Sequence, residues 1–335
     1  MMKSFFGFLC LALACSGLLY AEEKQTAQED KGSEKTESVS PWNFSLATDL
    51  ACHPETAYVA GDSHFAPTSG FNWRAKARAR FTAAYTLPVL TGDNPLFSGN
   101  HLTFAGSFCL TPVSFSPDLS ITFSPAAFFD LSASFTTGSG WNIGSLHGVR
   151  EYNPKKGVYD ELPSLRAWYM KGAVAATIKF DVGALWPGDW HHIVGMASFE
   201  VGYQSLLGAS QTVWEWQTFA GHADGWVYQQ YYVIGYQMPM KFSMIAMTFD
   251  LTGHFSASDY GSFADNYCGD FLYAEIGPMF EFDFNKNNEL YVLIAFTGRR
   301  SFKESHTQED VEPGLTYSGR EWLLDYFAFR WIHYF

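Results

Sequence analysis

The chain has 335 residues, 47 % of them hydrophobic and 18 % aromatic, with a formal net charge of −13 at pH 7. That acidic balance excludes nucleic acid as the natural partner, since phosphate binding is built on excess Lys and Arg. Past the first segment no apolar run approaches a transmembrane helix in length, and the remaining cysteines, Cys52, Cys109 and Cys268, include no CxxC, so neither a metal site nor a cofactor is implied.

The opening MMKSFFGFLCLALACSGLLYAEE places one Lys before an apolar run from Phe5 to Tyr20, then Ala21 before two Glu. Residues 1–21 therefore read as a secretory signal peptide cut after Ala21. A lipid-modified Cys15 fits less well, because Ala12 stands where Leu is preferred and the apolar run continues past the cysteine. Loss of Lys3 takes the net charge from −13 to −14. Residues 22–40 hold six acids, three lysines and no large apolar residue except Val39, which predicts a disordered acidic linker.

From residue 41 to 335 the dominant period is two, which places successive side chains on opposite faces of a strand. Trp42, Phe44, Leu46 and Leu50 share one face, with Asn43, Ser45 and Asp49 on the other. The clearest stretch is Phe71 to Leu87. Its odd positions are all apolar or aromatic, while Arg74, Lys76, Arg78 and Arg80 occupy even ones. A helix would scatter those four cations around its axis. The stretch also exceeds the roughly 9–11 residues that a tilted strand needs to cross a bilayer. Strands follow around Leu102–Leu110 and Leu119–Thr136, the latter with Pro125 as an expected bulge or kink. After the irregular segment 138–163 they resume around Trp168–Val182, Ile193–Gln204, Trp226–Met238, Ile245–Phe255, Leu272–Phe284 and Leu290–Phe296. The Ile193 strand has a possible continuation through Val213–Trp216 toward a hairpin at Asp224-Gly225.

The chain ends LLDYFAFRWIHYF, with Phe327, Phe329, Trp331 and Phe335 on one face. This resembles the C-terminal signature of bacterial outer-membrane β-barrel proteins. The resemblance implies a last strand read by the barrel-assembly machinery, an outer-membrane location and a lipid-facing wall. GSGWN, PGDW and GYQMP together look like uncharacterised outer-membrane proteins of spirochaetes, a likeness that transfers no functional residue. The expected fold is all-β, a single-chain transmembrane antiparallel barrel of 12 strands, with 10 as the alternative. Eleven strands are evident and single-chain bacterial barrels carry an even number. A hidden strand is therefore sought within the irregular segments, Ile143–Tyr152 being the best candidate. Tight turns at 186–190, 238–241 and 285–288 are expected on the periplasmic side, and loops 221–225, 256–269 and 303–320 outside.

Function is expected on the lumenal face. Arg74, Lys76, Arg78 and Arg80, with Lys171 and Lys179, make a cationic ladder that biases a pore toward small anionic solutes. Opposite them stand Asp181, Glu200, Asp250, Glu275, Glu281 and Asp283, which would instead cross-pair with the cations and plug a narrow barrel. An enzyme would need a nucleophile beside a histidine; His191, His192, His222 and His254 have none in sequence, so no catalytic residue is assigned. Adhesion through the outer loops is the remaining alternative. Pairing of Cys52 with Cys268 is left open against three free thiols.

Overall fold

A computed structural model of the protein describes residues 40–335 apart from 95, 218, 307 and 308, without the side chains of 71–73, 309 and 310. The expected signal peptide and the expected linker through residue 39 lie outside the described residues. Twelve strands make one wall: β1 (Trp42–Thr56), β2 (Thr68–Pro88), β3 (His101–Thr111), β4 (Ser114–Ala126), β5 (Phe129–Gly140), β6 (Trp168–Asp181), β7 (Ile193–Leu207), β8 (Gly225–Gln237), β9 (Phe242–His254), β10 (Tyr273–Asn285), β11 (Asn288–Phe302) and β12 (Tyr317–Tyr334). Each pairs antiparallel with its neighbours in sequence, and β1 closes on β12 with Ser45 opposite Tyr334 and Cys52 opposite Phe327. Closure leaves no open edge, so every wall strand finds backbone partners on both sides.

The alternation read from sequence sorts the two faces. Leu119, Val174, Ile178 and Ile234 are 54–64 % exposed on the outside. Burying such a side chain stabilises by roughly 1.5–3 kcal/mol, so a continuous belt of them calls for hydrocarbon around the wall. Aromatic side chains gather at both ends of this belt. Trp42, Phe44, Phe81 and Tyr85 pack together at the rim carrying Tyr334, and Phe284 stacks on Trp331 there. Tyr203 with Trp226 and Tyr228 with Phe255 do the same at the far rim. Two aromatic girdles around an apolar band are the signature of a bilayer-spanning barrel.

The twelfth strand is not Ile143–Tyr152. It lies inside the stretch read as one strand from Leu119 to Thr136, which is the β4–β5 hairpin. Pro125 marks the end of β4, and Ala127-Phe128 alone make the turn, with Ala126 opposite Phe129. Strand β4 also begins earlier than expected, at Ser114, because the β3–β4 turn is only Pro112-Val113. Val213–Trp216 does not extend β7. It belongs to a separate four-stranded sheet in the order 158–161, 149–153, 213–216, 219–223. The β2–β3 and β4–β5 connections and the turns 182–192, 238–241 and 286–287 lie at the rim that carries both Trp42 and Tyr334, and the other connections, from the two-residue turn 112–113 to the longer loops, lie at the opposite rim.

Candidate functional site

The interior is asymmetric. From β9 through β12 to β1 it is packed with inward apolar side chains, including Met244, Met279, Tyr291, Leu293, Tyr326 and Ile332. Along β2 to β5 many inward positions are small and hydroxylated, and several stay partly accessible: Thr82, Ser107, Ser120, Thr122, Ser132 and Ser134. Thr82 and Ser107 share a hydrogen bond of 3.0 Å, as do Thr86 and Thr103. Small hydroxyl residues on one arc and bulky apolar ones on the other make the β2–β5 side the more accessible part of the interior.

Most lumenal charges are paired with neighbours on the wall. Asp49 sits on β1 opposite Arg78 of β2 and opposite Arg330 of β12. It accepts from Arg78 Nε at 2.9 Å and from Arg330 Nε at 2.5 Å, with all three residues at most 4 % exposed. The central rung of the expected ladder is thus part of a clamp across the closing seam. Lys171 Nζ lies 2.5 Å from Glu200, Lys179 Nζ 3.1 Å from Asp130, and Arg299 Nε 2.5 Å from Glu321. Arg74, Lys76 and Arg80 are only partly buried. Asp181 lies at the rim, where it accepts from Gly183 N at 2.8 Å and bonds His192 at 2.6 Å. Glu281, Asp283 and Glu289 bring carboxylate oxygens within 4.8 Å of one another, and Glu289 accepts the hydroxyls of Tyr291 and Tyr334. Asp250 and Glu275 face each other on β9 and β10. Phe329, Trp331 and Phe335 are 40–71 % exposed on the outer face, beside the partly buried Phe327.

Sequence reasoning missed a second element at the far rim. At the far rim the loops fold into a cap. Tyr152, Tyr159, Val213, Ala220, Tyr260 and Tyr267 form a buried cluster together with Phe302 of β11. Gly221 is at φ +75°, and a Cβ there would meet the Tyr267 hydroxyl at 2.4 Å. Its backbone is held from both sides: its N–H donates to Tyr159 Oη at 2.9 Å, and its carbonyl accepts from Tyr260 Oη at 2.7 Å. Arg150 makes a two-point ion pair with Glu215. Arg300, 1 % exposed on β11, lies 3.8 Å from the Tyr267 ring centroid and donates to the Cys268 carbonyl at 2.9 Å. Trp214 and Trp216 dip into the mouth, where Trp216 stacks on Tyr169 at 5.2 Å. Gly138 of β5 permits this, because a Cβ there would fall 2.9 Å from the Trp216 ring. The only advance signal was the aromatic content of segments that carry no long alternation.

Among the described residues three Asp–His pairs occur: His53 with Asp325 at 3.2 Å, His192 with Asp181 at 2.6 Å, and His254 with Asp259 at 2.9 Å. Among the described residues no serine hydroxyl bonds any of these three histidines. Cys52, Cys109 and Cys268 form no disulfide with one another.

The fold and its inverted faces define a class, the transmembrane antiparallel β-barrel. No protein-family model matches the sequence, and neither does any curated protein. Among solved structures, an outer-membrane channel from Pseudomonas putida F1 aligns at 9 % identity over 90 % of this chain and 100 % of that one, with a TM-score of 0.46. The outer-membrane channel DcaP of Acinetobacter baumannii aligns at 9 % identity over 91 % and 100 %, TM-score 0.37. The translocator domain of the autotransporter NalP from Neisseria meningitidis aligns at 10 % identity over 96 % and 97 %, TM-score 0.38. Similarity at this level assigns no residue a role.

Proposed function

We propose that the protein is a porin-like barrel of the bacterial outer membrane. In this reading it is exported by cleavage after Ala21, and its last strand, with Phe327, Phe329, Trp331 and Phe335, is recognised by the barrel-assembly machinery. It passes small solutes along the hydroxyl-lined arc of β2–β5 and carries out no catalysis. The observation that supports this most is the contrast between that partly accessible arc and the packed opposite half. The partly buried Arg74, Lys76 and Arg80 border the arc and favour anions. Arg78 is buried at the closing seam, where it shares Asp49 with Arg330. The likeness of GSGWN, PGDW and GYQMP to spirochaetal proteins belongs to the same proposal.

Purified protein in a planar bilayer tests it. Discrete conductance with anion preference is expected, and the charge-reversed Lys76→Glu/Arg80→Glu variant should shift that preference toward cations. Absence of conductance would sink the channel, and conductance with unchanged selectivity would sink the ladder.

A further inference from the structure

Asp250 and Glu275 stand directly opposite one another on β9 and β10, both turned into the barrel. They are 4 % and 5 % exposed. Each has one oxygen bound by a neutral donor: Gln229 Nε2 donates to Asp250 Oδ2 at 2.8 Å, and Tyr326 Oη donates to Glu275 Oε1 at 2.9 Å. Tyr326 reaches this position because a register shift in the β11–β12 ladder lets Asp325 and Tyr326, adjacent in sequence, both be buried. A bulge of this kind re-aims side chains next to functional sites. The other two oxygens, Asp250 Oδ1 and Glu275 Oε2, are buried and have no hydrogen-bond partner among the described residues.

Four other lumenal carboxylates are matched by cations. Asp49, Asp130, Glu200 and Glu321 each have a Lys or Arg nitrogen within 3.1 Å. Asp250 and Glu275 have no ion pair among the described residues. Lys171 acts on Asp250 electrostatically, but its ammonium is bonded to Glu200 at 2.5 Å. Neutral donors satisfy lone pairs without removing charge. Two desolvated carboxylates facing each other are therefore strongly unfavourable as bare anions. Their two negative charges match one divalent ion, and an all-oxygen donor set selects a hard one.

We propose that Asp250 Oδ1 and Glu275 Oε2 bind one hard divalent cation inside the barrel, tying β9 to β10 beneath the cap. The site requires only the barrel and is independent of whether the lumen conducts.

The test uses the full-length protein in detergent, with Ca2+ alone as the probe, in calorimetric titration and in thermal unfolding with and without chelator. Wild type should bind one Ca2+ per chain and unfold at a lower temperature once chelated. Asp250→Asn and Glu275→Gln should each weaken binding at least about tenfold, a loss of ~1.4 kcal/mol. The double variant should neither bind nor respond to chelator while still migrating as a folded barrel. Ca2+ binding that survives in the folded double variant would overturn the proposal and place the ion at other carboxylates. A wild type that neither binds Ca2+ nor responds to chelator would overturn it as well, the pair then sharing a proton. That wild-type arm decides the matter even if the double variant does not fold.

Discussion

Asp49 joins the two ends of the described wall, because one carboxylate serves guanidinium groups on both flanking strands. Removing its charge leaves Arg78 and Arg330 buried without their shared counter-ion, and breaking a buried pair typically costs ~3–5 kcal/mol. Asp49→Asn should therefore lower the unfolding free energy by about that amount in urea titrations followed by heat-modifiable gel mobility. Asp118→Asn, where a partly exposed carboxylate accepts only from Thr136 Oγ1 at 2.6 Å, should cost about 1 kcal/mol. Equal losses would show that the seam clamp has no special weight. Period-two alternation was enough to put Arg74, Lys76, Arg78 and Arg80 on one face. It was not enough to say which of them is drawn into the closing seam, since that depends on strand register. Arg330, separated from Asp49 by 281 positions, becomes its neighbour only when the sheet closes. Pairing between distant strands has no local signal, so the wall was legible and the use of its charges was not.

At the level of elements, the cap is held by tyrosines that titrate abnormally. Burial of Tyr159 holds its phenol well above the ordinary value of 10.0, and burial raises Tyr260 as well. The unfolded chain loses these protons from about pH 10 upward while the folded cap keeps them. The unfolded state then binds fewer protons, so stability falls as pH rises past about 10 and is unaffected below it. Near-UV circular dichroism should hold steady to pH 9 and decline reversibly above about pH 10, and Tyr159→Phe should flatten the decline. A signal unchanged up to about pH 12 would refute the assignment. The cap also shows what alternation fails to report, because its strands are four or five residues long and offer too few periods to detect. The β4–β5 hairpin escaped for another reason. A two-residue turn, Ala127-Phe128, would by itself flip the parity, but the register shift between Phe123 and Ala126 restores it, so odd positions face outward both before and after the turn. Both turn residues are apolar, which removed the compositional cue as well.

For the molecule as a whole, the proposed path and the cap are in series, so the cap should set the conductance and the arc the selectivity. Strands β7 and β8 pair without interruption from Ile193–Tyr236 to Gln204–Gly225, and the segment between Leu207 and Gly225 is outside the wall. Replacing residues 208–224 with a short Asn-Gly turn therefore leaves the wall ladder intact while removing Val213–Trp216 and Phe219–Ala223 from the mouth. It also removes Asp224, which accepts from Leu206 N at 2.9 Å and from Trp214 Nε1 at 2.9 Å, but the first of these contacts lies at the strand end where fraying is cheap. The shortened protein should still shift on gels between unboiled and boiled samples. Its single-channel conductance should rise severalfold, and its anion preference should remain, because Lys76 and Arg80 are untouched. A folded variant whose conductance matches wild type would mean that the cap does not restrict the path. Higher conductance with lost anion preference would instead place the selectivity in the excised part of the cap.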